Sequence, residues 1–208
     1  MRKDCPLDAL ILDFGGVVAE EGFAAGLKAL ARGAGRDEHE VWQAGLAAVW
    51  DSGYVTGKAD EAAFWKLFKE RTGVEGDENA WRAEIFRLFA VRPFMRELAE
   101  RFRTMGVATA ILSDQTDWLA RLDAEQGFFK HFDKVYNSYD HGATKLEPGF
   151  FLMALKDLGC APGRALFVDD NPGNVERARA LGMHAIHYTG REAFERDLAL
   201  VCPAALDG

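Results

Sequence analysis

Leu10-Ile11-Leu12-Asp13-Phe14-Gly15-Gly16-Val17-Val18 is the stretch from which the rest of the chain is read. An apolar run delivers one carboxylate, then a glycine pair, then more apolar residues. Leu10 to Leu12 is too short for a core helix and reads as a buried strand. It ends at Asp13, where two glycines let the backbone turn tightly or approach a ligand closely. A lone carboxylate at the carboxyl end of a parallel strand stands where open α/β sheets bind ligands. A strand, an Asp and a turn is also ordinary structure, so the remaining motifs decide the reading.

Outward from that stretch the chain divides. From about Gly22 to Val91 the pattern is helical throughout. Trp42, Leu46, Val49 and Trp50 share one helical face, and Phe64, Trp65, Leu67 and Phe68 form a second stripe behind Asp60, a natural N-cap. Trp81, Ile85, Leu88 and Phe89 repeat the spacing behind Asp77. With Phe23 to Ala31 these predict about four helices, their aromatics forming the core of a helical unit rather than a cofactor box.

After Arg92-Pro93 strands and helices alternate. Pro93 suits the first turn of a helix that Gly106 ends. Strands are expected at Val107–Leu112, Val135–Ser138, Ala165–Val168 and His184–His187. Helices are expected around Trp118–Gln126, Pro148–Leu158 and Gly173–Leu181, with one more at the C-terminus. Alternation of this kind predicts βαβ units and a parallel sheet. The fold class is therefore α/β: a Rossmann-like parallel sheet core from residues 1–19 and 93–208, with an all-helical insertion at 20–92.

Composition narrows the function. Among 208 residues, 25 basic against 33 acidic side chains give a formal charge of −8, the wrong balance for a nucleic-acid footprint. The arginines between Arg82 and Arg103 fit the solvated faces of amphipathic helices. No stretch approaches the eighteen or so unbroken apolar residues of a membrane span, and the N-terminal apolar run is broken by Asp13, unlike a signal peptide. Cys5, Cys160 and Cys202 are odd in number, far apart and without metal spacing. Three free thiols suit a reducing cytosol, so a cytoplasmic protein is expected. None of the five histidines has ligand spacing. His141, four residues before Lys145, reads as a solvated loop residue.

Several core strands end in polar groups. The first ends in Asp13, the second in Ser113-Asp114, and the Ala165–Val168 strand in Asp169-Asp170-Asn171-Pro172-Gly173-Asn174. Lys145 lies in the loop Thr144-Lys145-Leu146-Glu147-Pro148. Strand ends of one parallel sheet converge on a single crevice, so these groups can meet. Three carboxylates packed together repel and take up protons unless a cation is present. Hard oxygen ligands with room for water describe a Mg²⁺ site. A serine hydroxyl, free amides and a lysine beside it describe a phosphate cradle.

This ordered set resembles the haloacid dehalogenase superfamily of phosphohydrolases over nearly the whole chain. Asp13-x-Gly-Gly-Val is similar to its first motif, Ser113 to its second, Lys145 to its third, and Asp169-Asp170 with Asn174 to its fourth. The helical insertion resembles the family's α-helical cap of the first type. The resemblance implies that Asp13 is the nucleophile, forming an aspartyl-phosphate, with Lys145 as the second catalytic residue. It implies Mg²⁺ held by Asp13, the Gly15 carbonyl and Asp170, with Asp169 close behind. Gly16, Ser113, Asp114 and Lys145 would bind the phosphorylated substrate, and Asn174 would support the site.

The chain departs from the family's phosphatase pattern at Gly15. An acid/base Asp usually stands two residues after the nucleophile, and its loss removes help worth ~10²–10⁴-fold. Asp-x-Gly resembles the sugar-1-phosphate phosphatase branch, where a good leaving group needs little protonation; otherwise a cap residue or water must carry the proton. Asp114 stands where the family often has Asn, and Leu146 where it often has Pro. The expected function is Mg²⁺-dependent hydrolysis of a small phosphorylated metabolite, with no nucleic-acid or membrane partner. The alternatives are a binding protein that has lost turnover, and a dehalogenase attacking carbon. Substrate and oligomeric state are not encoded in these motifs.

Overall fold

Five parallel strands form one sheet in the order β3-β2-β1-β4-β5 in the computed structural model, which describes residues 5–206. The strands are β1 (Ala9–Leu12), β2 (Ala108–Ser113), β3 (Lys134–Asn137), β4 (Ala165–Asp169) and β5 (His184–His187). All four residues of β1 are buried, as a strand covered on both faces requires. Leu12 lies opposite Ile111 on one side and Val168 on the other. That register brings Asp13, Ser113 and Asp169 to one end of the sheet. From β1 the chain builds outward through β2 to β3, then returns to add β4 and β5 on the other side of β1. The reversal leaves a crevice at the carboxyl ends of the strands.

Four helices intervene between β1 and β2 before the sheet resumes: α1 (Gly22–Gly33), α2 (Glu38–Asp51), α3 (Glu61–Thr72) and α4 (Glu78–Leu88), followed by α5 (Pro93–Thr104). Asp60 caps α3 by accepting the Ala63 N–H at 3.0 Å, and Asp77 caps α4 by accepting that of Asn79 at 2.9 Å. Pro93 opens α5 in its first turn. Then come α6 (Trp118–Gln126), the single turn α7 (Ser138–His141), α8 (Pro148–Asp157), α9 (Pro172–Ala180) and α10 (Arg191–Val201). Ser138, expected to end the third strand, opens α7 instead, its hydroxyl donating to the Val55 carbonyl at 2.7 Å.

The sheet divides the core. Leu10 and Leu12 pack with residues of α5, α6 and α10, whereas Ala9 and Ile11 pack with those of α8 and α9. The aromatics of the insertion are structural: Phe64, Trp65 and Phe68 are buried, and Trp118 of α6 packs edge-on against Phe64. Each such ring contributes roughly 1.5–3 kcal/mol by leaving water. The insertion and the sheet therefore share one core. Phe14 extends it, stacked between Phe89 and Phe128 at centroid distances of 5.6 and 4.9 Å. Glu61 adds a polar tie, accepting from Trp65 and Arg82 at 2.9 Å and from Arg121 of α6 at 2.7 Å.

The expectation of three free thiols is corrected. Cys5 and Cys202 form a disulfide, with Cα atoms 4.9 Å apart across 197 residues of sequence, and Cys160 alone is free, and buried. Sequence spacing carries no sign of this pairing because it depends on α10 returning the chain's end to the start of β1. With two of the three sulfurs paired, the cysteines no longer favour a reducing compartment. Among the described residues, no helix is long and apolar enough to cross a membrane.

Candidate active site

Asp13 leaves the end of β1 with its carboxylate almost fully enclosed. One oxygen accepts the Phe14 N–H at 2.7 Å and the Ser113 hydroxyl at 2.8 Å. The other meets the Lys145 ammonium at 2.8 Å. Lys145 is 2% exposed and stands between two carboxylates, donating to Asp169 at 2.7 Å. Its backbone is fixed from below, where the Lys145 N–H donates to Asp114 at 2.9 Å. Asp169, fully buried, holds this lysine while its own oxygens take the Asn171 N–H at 2.7 Å and the Asn174 amide at 3.1 Å.

Asp13, Asp169 and Asp170 each present an oxygen within 4.8 Å of the others. Burial pushes Asp13 up to about 8, against the pull of Lys145 and with a further push from Asp169. Asp170 is raised by burial and then by Asp169. Asp114 is raised by burial, with Lys145 opposing. For Lys145 burial acts to release the proton, but Asp13 and Asp169 outweigh it and hold the ammonium above its ordinary range. One ammonium thus faces more negative charge than it can neutralise.

The two glycines of the opening motif do different work. Gly16 has φ of +79°, and a Cβ there would lie 2.1 Å from a carboxylate oxygen of Asp170. Only a residue without a side chain lets Asp170 approach this backbone. Gly16→Ala is expected to lose about 1–2 kcal/mol to the left-handed backbone alone, and to displace Asp170; thermal melts and Mg²⁺ titration of the variant check both. Gly15 has no such constraint. A Cβ there meets Gln115 and Phe89 at 3.7 Å and a Glu21 oxygen at 3.8 Å, all ordinary contacts.

The loop after Asp13 is clasped from the far end of the insertion. Arg92 donates to the carbonyls of Gly16 and Val17 and pairs with Glu20 at 2.8 Å. Glu20 N–H to Ala90 and Arg92 N–H to Val18 join the two connecting segments side by side. The segments that carry the insertion are therefore tied to the loop that carries the nucleophile candidate.

Above these groups lies a cavity of about 280 Å³. Its floor includes Asp13, Ser113, Asp114, Lys145, Asp170 and Asn174. The insertion supplies the other wall, with Leu46, Val49 and Trp50 from α2 and Phe23 of α1, together with Val55 and Glu21.

The haloacid dehalogenase-like hydrolase model matches residues 7–182. The chain belongs to this family. Among its relatives, the phosphoserine phosphatase of Thermus thermophilus is 31% identical over 207 residues, covering 89% of this chain and 83% of that protein. A solved HAD family enzyme of Bacteroides thetaiotaomicron superposes with a TM-score of 0.70 at 21% identity, covering 89% of this chain and 94% of its own. That enzyme has also been solved with magnesium and inorganic phosphate, with a TM-score of 0.65 at 20% identity and the same coverage. Likeness to these structures at such identity speaks for the hydrolase's fold.

In this hydrolase Asp13, Ser113, Lys145 and Asp169 are brought into direct contact, with Asp114 and Asp170 around them and Gly15 at the cavity wall. Asn174 donates to Asp169. His141 is exposed and packs beside Tyr136 and Phe150 rather than lining the cavity. Sequence reasoning missed Glu21. It caps α1 by accepting the Ala24 N–H at 2.7 Å, and it also lines the cavity. Desolvation in the cleft raises its carboxyl, against the Ala24 N–H and with a push from Asp170. Glutamate is not a usual N-cap residue, so nothing in the linear pattern marked this position. The α2 wall was missed for a similar reason: a stripe facing a cavity has the same spacing as one facing a core.

Proposed function

We propose that this hydrolase is a Mg²⁺-dependent phosphomonoesterase acting on a small phosphorylated metabolite through an aspartyl-phosphate on Asp13. The observation that carries the reading is the enclosed Asp13 carboxylate, paired to Lys145 and packed against two further acids. The Thermus relative's name supports the phosphomonoester class, and the magnesium and phosphate in the Bacteroides enzyme support the cofactor.

The acid cluster fits a hard divalent cation. Its donors are carboxylate oxygens, and burial together with the neighbouring Asp169 charge raises Asp13 and Asp170. Asp13, Asp170 and the Gly15 carbonyl would hold the ion, with Asp169 behind them. When bound, Mg²⁺ would neutralise charge on the carboxylates and the phosphoryl oxygens.

Lys145 would hold the phosphoryl group beside Asp13, with the Ser113 hydroxyl and the amides of the Gly16 loop taking its oxygens. Asp114 would contribute by fixing the Lys145 backbone. An Asp13 oxygen would then bond to phosphorus as the ester P–O bond breaks. The departing alkoxide would take a proton from Glu21, whose oxygen approaches the place of a residue-15 side chain. Water, giving up a proton to Glu21, would cleave the aspartyl-phosphate and restore Asp13. The helical insertion would act as the cap over this chemistry.

Phosphate release from acetyl phosphate and a panel of phosphate monoesters tests the reading. Release that a chelator removes and Mg²⁺ restores is expected. Silence on every compound would favour the second reading, a ligand-binding protein, which the bare Gly15 position suggests. Release independent of Mg²⁺ would overturn the cofactor assignment.

A further inference from the structure

The two walls of the cavity differ in chemistry. Every residue of the helical insertion that lines it is apolar except Glu21: Phe23, Leu46, Val49, Trp50 and Val55. Leu46, Val49 and Trp50 lie at i, i+3 and i+4 on α2, so one helical face is shared between the insertion's core and the cavity. Val49 and Val55 are buried, while Leu46 and Trp50 keep partial exposure. Neither lysine, arginine nor histidine of the insertion lines the cavity.

We infer that the substrate's leaving group is a small, uncharged, apolar alcohol rather than a polyhydroxylated sugar or a nucleoside, an inference that rests on the phosphomonoesterase reading. The phosphoryl group belongs to the polar floor, so the rest of the ester must lie against the insertion. Hydroxyl groups pressed against Leu46, Val49 and Trp50 would lose water without gaining partners. Methylene or ring carbons there would cover apolar surface that otherwise faces water. The cavity, at about 280 Å³, is just below the ~300–1,000 Å³ usual for ligand pockets. A short chain or a single ring suits that space. Leu46 and Trp50 are thus specificity-determining residues; beyond the floor already named, the polar residues lining the cavity are Glu21 of the insertion and Gln115, Thr116 and Asn171 of the core.

Hexyl phosphate and glucose-6-phosphate separate the possibilities, because both release a primary alkoxide and differ only in the body of the alcohol. Acetyl phosphate serves as the small activated reference. With Mg²⁺ present, kcat/KM for hexyl phosphate is expected to exceed that for glucose-6-phosphate by about 10²-fold. The same ratio is expected to fall at least about tenfold in Leu46→Asn, and likewise in Trp50→Gln, should the first variant fold poorly. Equal or better turnover of glucose-6-phosphate by the wild-type enzyme would overturn the inference and leave the phosphomonoesterase reading standing. Failure to release phosphate from all three compounds would overturn that reading, and this inference with it.

Discussion

Asp13→Asn is expected to lower Mg²⁺-dependent phosphate release by at least ~10⁴-fold, because on the proposed mechanism it removes the attacking carboxylate. The substitution changes one atom and keeps the shape. The amide oxygen can still accept from the Phe14 N–H and the Ser113 hydroxyl, as Asp13 does at 2.7 and 2.8 Å. Its nitrogen would face Lys145, which retains Asp169 at 2.7 Å as a partner. Two effects on stability therefore oppose each other. Removing a buried carboxylate that is hard to ionise favours the fold, while setting an N–H against an ammonium disfavours it. The variant should fold, and circular dichroism beside the phosphate assay separates lost chemistry from lost structure. A folded variant that kept more than about a hundredth of the activity would show that Asp13 is not the attacking group.

The parallel sheet and the meeting of Asp13, Ser113 and Asp169 could be read from sequence because each of these follows a short apolar run, whereas Lys145 reaches them from a loop beyond α7. A strand fixes where its last residue points, and a parallel sheet collects those ends in one crevice. Four separate segments thus converge on a place that none of them encodes alone. What escaped the sequence depended on facts that a linear pattern does not contain. Cys5 and Cys202 become neighbours only when α10 closes back on the sheet. Leu46 and Trp50 share the periodicity of core residues, and only the packing of α2 tells which side of the helix faces the cavity. Phe14 looked like the variable residue of its motif, yet its ring stacks between Phe89 and Phe128 and anchors the loop beside Asp13. Glu21 caps α1 and also lines the cavity, two placements that only the fold reveals.

That second role yields a test by exchange. Glu21→Gln is expected to slow hydrolysis of an alkyl phosphate by ~10²–10⁴-fold, the usual worth of general acid/base help. Acetyl phosphate, whose leaving group needs little protonation, should be affected far less. Gln can still cap α1 through its amide oxygen, so a purely structural role would be largely preserved. Gly15→Asp in the Glu21→Gln background should then restore alkyl phosphate turnover. The new side chain has room, since its Cβ would meet its nearest neighbours at 3.7–3.8 Å without a strained backbone. It would start 3.8 Å from a Glu21 oxygen. Gly15→Asp alone should gain much less, because its carboxylate would sit against Glu21 and one of the two would be driven to hold a proton. If Glu21→Gln slows acetyl and alkyl phosphates equally, the residue acts through α1 rather than through proton transfer. If Gly15→Asp alone accelerates alkyl phosphates as much as it does in the double variant, no other group fills the vacant acid/base position. The site would then be intact apart from the one side chain that position 15 lacks.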